Sequence, residues 1–446
     1  MPLTKQSLAT AAPLVAIATA LAVISVNVTV GAIVALVVAA ILAYRESMWI
    51  AVCAAAWVVV FLAVLYIPGL YDSWAGPAAI PVLACYIGIF LAGWAVARRF
   101  AARSTVKSER PEVSWPSEFR LRAFLFVLLG IALLAAALRF RGSLPPLFSP
   151  NPDAARELLR YHTNLLLGLL WEAFTLGMSI SLFRLLTGGP RGRWLYLGLL
   201  AVFAGGSALG ASKNSVLIGI VTALVASLSV HRRRANVKRR GKASTRVVVV
   251  VLIGCLAIGA AAFLGAQRTL AGTGNFEDGF RRQSGGSAIA ASIASLDLSL
   301  SSSTETFGRL WAQRDRFEAG YGRYSLIFSG RPGQRLLGAY KDLDLYAITS
   351  QLSQPYYMNT ATFVAIPLLD FGPVGAAVFM LVLGLGVGLI ERRFEVSASP
   401  AGQLGRAFVI YFAAFGIYEL YPLIQPTWLA IVPGLWCLHL IGKRVR

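Results

Sequence analysis

The chain has 446 residues, of which 57% are hydrophobic and only 14% charged, and its mean hydropathy is +0.68. So much apolar side chain with so little polar cover excludes a water-soluble globule of ordinary proportions. The formal net charge of +21 would raise nucleic-acid binding in a soluble protein, so the placement of the charges has to decide its meaning.

Apolar runs recur along nearly the whole sequence, which predicts an all-α polytopic bundle of about 11–12 transmembrane spans forming one integral domain, 1–446. After Lys5 the first apolar stretch is too long for a cleavable targeting peptide and leads into further membrane segments. The block 12–44 is long for one span and short for two, and Asn27 and Gly31 near its middle permit a tight hairpin, so both readings stay open. Spans then follow at 48–66, 77–97, 121–138, 162–186, 194–211, 215–230, 247–266, 371–390, 406–422 and 425–441. Cys53, Cys85, Cys255 and Cys437 all lie in apolar runs without CxxC spacing, which suggests neither a disulfide framework nor a thiolate metal site.

The stretch "HRRRANVKRRGKASTR" (231–246) holds eight Lys/Arg and no acid, and the positive-inside rule makes it cytoplasmic. Alternation from that point puts 98–120, 187–193, 391–405 and the tail "GKRVR" on the same side, and each of these is basic too. The cationic excess is then explained by orientation and contact with anionic membrane lipid, with no nucleic acid involved. The far side receives 139–161, the short turn around Lys213 and one large loop, 267–357, whose ten Lys/Arg and eight Asp/Glu nearly balance. Within that loop, "SGGSAIAASIASLDLSLSSS" (284–303) reads as a flexible or helical strip on the membrane face. "ETFGRLWAQRDRF" (305–317) gathers Phe307, Leu310, Trp311 and Phe317 on one face, the pattern of a short amphipathic helix lying on the bilayer surface.

The stretch "NTATFVAIPLLDFGPVGAAVF" (359–379) sets polar residues, prolines and glycines where a span should simply begin. It predicts a segment dipping along the outer leaflet and a helix that restarts after Asp370. In this reading Asp370 caps the restart, Pro373 falls in the first turn, and Gly372 and Gly375 allow close helix contact. Irregular backbone at membrane depth needs protein or a watery cavity around it, so the stretch should border a cavity open to the outside.

"NTATFVAIPLLDFGPVGAAVFMLVLGLGVG" resembles the segment of Wzy-type O-antigen polymerases, the oligosaccharide repeat-unit polymerases, in which Asn-x-x-Thr leads to Asp-Phe-Gly-x-x-Gly and a glycine-containing span. "GGSALGASKNSVLIGIVTAL" (205–224) is similar to that family's small-residue turn with one basic residue, although Lys213 stands where the family usually has Arg. Many spans, one dominant outer loop and cytoplasmic termini are also alike. The resemblance implies a glycosyltransferase in a bacterial cytoplasmic (inner) membrane, with its active site facing outward. Its substrates would be a polyprenyl-diphosphate-linked oligosaccharide and the growing glycan chain, without a cofactor, and a chain-length regulator or a flippase would be its protein partners.

Such chemistry needs cations for the departing diphosphate and a base for the acceptor hydroxyl. Lys213 begins a helix, where the dipole disfavours a cation unless an anion is bound; it could equally snorkel to the interface. Arg268, Arg281 and Arg282 lie near the same boundary and suit bidentate diphosphate contact, though boundary arginines are also ordinary headgroup anchors. Candidate bases are His162 at the outer start of its span, Glu172 deeper in the same helix, Asp297 in the loop, Asp370, and Glu419 between Tyr418 and Tyr421. A charge in hydrocarbon costs about 2.5–3.5 kcal/mol, so Glu172 must face a partner or a cavity. No metal cage is apparent; the loop 67–76 offers only Asp72. The rival readings are an O-antigen ligase-like transferase, which shares this layout, and a transporter or flippase of lipid-linked sugars, which would favour an internal repeat that the sequence does not display.

Overall fold

The computed structural model describes residues 27–44, 47–66, 75–104, 113–150, 165–188, 192–210, 213–237, 275–285, 287–322, 345–352, 361–395, 397–414 and 427–443, with a few isolated positions between them. Among the described residues the regular structure is helical, with no strand. In chain order the α-helices are α1 (Val28–Ala43), α2 (Met48–Tyr66), α3 (Ala75–Ser104), α4 (Glu118–Arg139), α5 (Leu165–Trp171), α6 (Ala173–Thr187) and α7 (Arg193–Leu209). They continue as α8 (Lys213–Val237), α9 (Asn275–Ser284), α10 (Ala288–Ala312), α11 (Leu345–Leu352), α12 (Ala365–Glu395), α13 (Pro400–Ala414) and α14 (Thr427–Gly442).

Among the described residues, five stretches are long and apolar enough to cross a membrane: Met48–Tyr66, Gly76–Ala101, Glu118–Arg139, Leu166–Thr187 and Ala365–Glu395. In α4, Leu121, Leu125, Leu128, Ala132 and Ala135 are buried at three- and four-residue steps, while Phe126, Val127, Leu133, Leu134 and Leu138 are exposed. A helix that buries one apolar face and exposes another is unfavourable in water and suited to lipid. The chain is thus consistent with a multi-pass membrane protein.

The predicted spans at 194–211, 215–230 and 425–441 are helices whose apolar parts run Arg193–Leu209, Ser215–His231 and Thr427–Gly442, shorter than the five. The predicted span 406–422 overlaps the helix Pro400–Ala414, and most of 415–422 lies outside the described residues. Asn27 does not turn a helix but starts one: its side chain accepts from the Thr29 and Val30 N–H groups at 3.0 and 3.1 Å. The predicted span 247–266, most of 12–26 and most of the large loop beyond Gly322 lie outside the described residues.

The surface helix expected at 305–317 is corrected. Residues 288–312 form one continuous 25-residue helix, and Ser302, Ser303, Thr304, Glu305, Thr306 and Phe307 are all buried. Six consecutive buried residues cover the whole circumference of a helix, whereas a helix lying on a bilayer keeps its polar face wet.

One compact unit comprises Met1–Val106, Asp297–Arg392 and Phe412–Ile424. Ser47 opens α2 by accepting from Trp49 N at 3.2 Å. Buried Glu391 of α12 ion-pairs with Arg98 of α3 and accepts from Trp94 Nε1 at 3.0 Å and from Ser47 Oγ at 3.3 Å. One carboxylate therefore ties three helices together, its charge compensated by a cation and two donors. The close contact between α3 and α12 lies at Gly384 and Gly388, where an added Cβ would stand 2.1 Å from Phe90 O and 2.5 Å from Trp94 O. This corrects the expectation that Gly372 and Gly375 serve close helix contact: a Cβ on Gly372 would meet nothing within 4 Å, and one on Gly375 would meet Phe371 of its own helix.

The other unit comprises Lys107–Leu296, Arg393–Tyr411 and Gln425–Arg446. Every residue of α6 from Ala173 to Phe183 is buried, so this helix is the unit's centre. It meets α8 through a Ser179–Thr222 hydroxyl pair at 3.1 Å. Glu118 at the start of α4 pairs with Arg184 of α6 and accepts from Tyr196 Oη of α7 at 2.7 Å.

Candidate functional site

The first turns of α12, Ala365 to Asp370, are buried throughout. At Gly372 the backbone leaves helical geometry (φ 66, ψ −173) and at Pro373 the helix resumes. Only glycine adopts that φ without a penalty, and proline gives up no hydrogen bond in a first turn. The break frees the carbonyls of the preceding turn, and a neighbouring segment takes them. Gly320 N donates to Leu369 O at 2.9 Å and Tyr321 N to Asp370 O at 2.9 Å. Tyr86 Oη of α3 donates to Pro373 O at 3.0 Å.

Asp370 is 0% exposed, and its Oδ1 accepts from Tyr324 N at 2.8 Å. Asp370 thereby fastens the strap, Phe317 to Gly322 with Tyr324, to the break. The strap lies close there, since a Cβ on Gly320 would stand 2.4 Å from Asp370 Oδ1.

The strap descends from α10 through a 3-10 turn, Arg314–Arg316. Glu305 of α10 anchors that helix, accepting from Gly76 N at 2.6 Å and pairing with Arg309 at 3.1 Å, while Arg309 Nη1 reaches Leu352 O at 3.1 Å. Between the end of α10, the strap and the helix break is a cavity of about 180 Å³. Leu310, Leu369 and Pro373 give it apolar walls, Phe317 closes one side, and Arg314 and Asp315 bring charge. The Arg314 guanidinium lies 4.6 Å over the Trp311 ring, its Nη1 donates to Trp311 O at 2.9 Å, and its Nε is 3.8 Å from Asp315. Trp311 in turn meets Tyr86 edge-on at 6.5 Å. The cavity is bordered by the Leu368–Pro373 stretch, where the sequence places one.

Glu172 is the second candidate that the structure describes in full. It sits at a one-residue hitch between α5 and α6, inside what the sequence reads as one uninterrupted span. Half-buried, it accepts from Thr175 Oγ1 at 2.8 Å, with Thr427 and Arg139 also acting on its carboxyl. The Arg139 guanidinium lies 4.8 Å over the Trp171 ring, so the carboxylate has the partners its depth requires.

Of the proposed diphosphate ligands, Arg281 and Arg282 occupy the last turn of α9, where the helix dipole favours cations. Arg281 pairs with Asp278 at 2.8 Å and donates to Leu270 O at 3.0 Å, and Arg282 is exposed. Lys213 is the first residue of α8, and Asp297 lies within α10; the side chains of both fall outside the described set, as do His162, Arg268 and Glu419 altogether.

Sequence reasoning missed Arg314, Tyr86 and Tyr324 at the break, and the Glu305–Arg309 anchor. Only the anchor carries a local signal, an i,i+4 acid–base pair in a mainly small and apolar helix. Among the described residues no three His, Cys, Asp or Glu side chains are grouped to hold a metal ion. Compared with models of protein families, with curated proteins and with solved structures, the chain matches none.

Proposed function

We propose that the chain is a membrane glycosyltransferase that polymerises polyprenyl-diphosphate-linked oligosaccharide repeat units at the outer face of a bacterial cytoplasmic membrane. The observation that carries this reading is the helix break at Gly372, set beside a cavity in the very stretch that resembles the repeat-unit polymerases. A broken helix at membrane depth makes room for polar groups and a cavity where an intact span presents only hydrocarbon, which a catalyst of polar chemistry on a lipid-anchored substrate needs.

In the reaction an acceptor hydroxyl oxygen bonds to the anomeric carbon of the donor sugar. The bond from that carbon to the diphosphate breaks, and polyprenyl diphosphate departs with the electron pair. Lys213, Arg268, Arg281 and Arg282 are the cations assigned to the departing charge. The hydroxyl proton goes to one of His162, Glu172, Asp297, Asp370 and Glu419; half-buried Glu172, held by Thr175, is a candidate for that base. Purified protein incubated with a lipid-linked repeat unit should give a ladder of longer lipid-linked products. Addition of a single unit would indicate simple transfer, and translocation without a new glycosidic bond would remove the enzyme reading.

A further inference from the structure

We propose that the cavity between the end of α10, the strap and the α12 break is a subsite for one pyranose ring of the glycan, distinct from any site for the diphosphate. The inference rests on the reading of the chain as acting on lipid-linked glycans and assigns to this cavity a part of the substrate. Three features carry it.

The first is size. One water position takes about 10–15 Å³ of such space, so about 180 Å³ holds roughly a dozen water-sized atoms, the heavy-atom content of one hexose. Pockets for whole drug-sized ligands start at about 300 Å³, so a complete repeat unit does not fit.

The second is the pairing of walls and mouth. Leu310, Leu369, Pro373 and Phe317 offer apolar surface to the C–H face of a sugar, while Arg314 and Asp315 offer donors and acceptors to its hydroxyls.

The third is the sign of the charge. Asp315 stands 3.8 Å from the Arg314 Nε, so the carboxylate offsets the field that a diphosphate would seek. A neutral ring whose hydroxyls both donate and accept is served by the two together. A polyprenyl chain would gain nothing from either.

The test is saturation-transfer NMR on the full-length protein in lipid nanodiscs, with methyl pyranosides of glucose, galactose, mannose and N-acetylglucosamine as probes. At least one should bind with a dissociation constant on the order of millimolar, as its atom count allows. Asp315→Ala, at an exposed position outside the packed interior, should weaken that binding about tenfold through loss of a hydrogen bond to a charged group. Leu369→Trp should abolish binding by filling the space, and inorganic pyrophosphate should not compete. No binding by any of the four pyranosides to the unsubstituted protein would overturn the proposal, as would unchanged binding in Asp315→Ala. Displacement by pyrophosphate that Arg314→Ala removes would make the cavity an anion site instead. A product ladder without pyranoside binding would sink the subsite and leave the polymerase reading standing. Pyranoside binding without a ladder from any lipid-linked donor would do the reverse.

Discussion

Asp370 shows how little a residue's type says about its task. An acid in an apolar stretch invites a catalytic reading, yet this carboxyl is fully buried, and its Oδ1 accepts a backbone N–H from the strap. Asparagine keeps an acceptor oxygen for that bond and alanine does not. Asp370→Asn should therefore retain most of the stability and product formation. Asp370→Ala should lose about 1–3 kcal/mol, the cost of leaving the buried Tyr324 N–H unsatisfied, read as a lower melting temperature in detergent. If Asp370→Asn melts like the parent and makes no product, the charge itself is used in the chemistry.

At the scale of elements, helix α12 divides its glycines between two tasks. Gly372 supplies a positive φ at the break, whereas Gly384 and Gly388 let its backbone meet that of α3. Gly386, between the last two, faces open space. The same substitution at adjacent points on one helix should thus have opposite signs. Gly386→Ala should leave the melting temperature unchanged or raise it, because alanine is favoured over glycine in a helix by about 0.5–1 kcal/mol. Gly384→Ala should lower it by several degrees, since its Cβ would press on a main-chain carbonyl that can move only with the whole helix. Equal effects at the two sites would mean that α3 and α12 are not in backbone contact. Helix α10 makes the complementary point: its apolar face predicts a surface helix, but Glu305 and Arg309 find partners on α3 and α11, and the polar side is buried as well.

For the whole molecule, the charge pattern makes a topological claim that labelling can check. In a protein with Cys53, Cys85, Cys255 and Cys437 replaced, single cysteines at Ser143 and Ser287 should react with an impermeant maleimide on intact cells. Cysteines at Ser108 and Ser244, in the basic loops, should react only after the membrane is opened. Labelling of Ser244→Cys from outside would reverse the orientation and move the helix break to the opposite face.

The apolar helices were legible in the sequence because membrane insertion depends on hydropathy summed over a local window: the span predicted at 48–66 is the helix Met48–Tyr66. The break in α12 was legible too, since positive φ at Gly372 and the missing N–H of Pro373 are properties of single residues. The hitch at Glu172 was not, for no glycine or proline marks it. Nor were the partners of Asp370, Glu305 and Glu391, which come from segments 46, 229 and 297 positions away in the chain. Hydropathy and backbone preference are carried by each residue or its near neighbours, so the sequence alone determines where helices form and where one must break. The partner of a buried charge and the walls of a cavity depend on which distant segments pack together, and that only the tertiary structure decides.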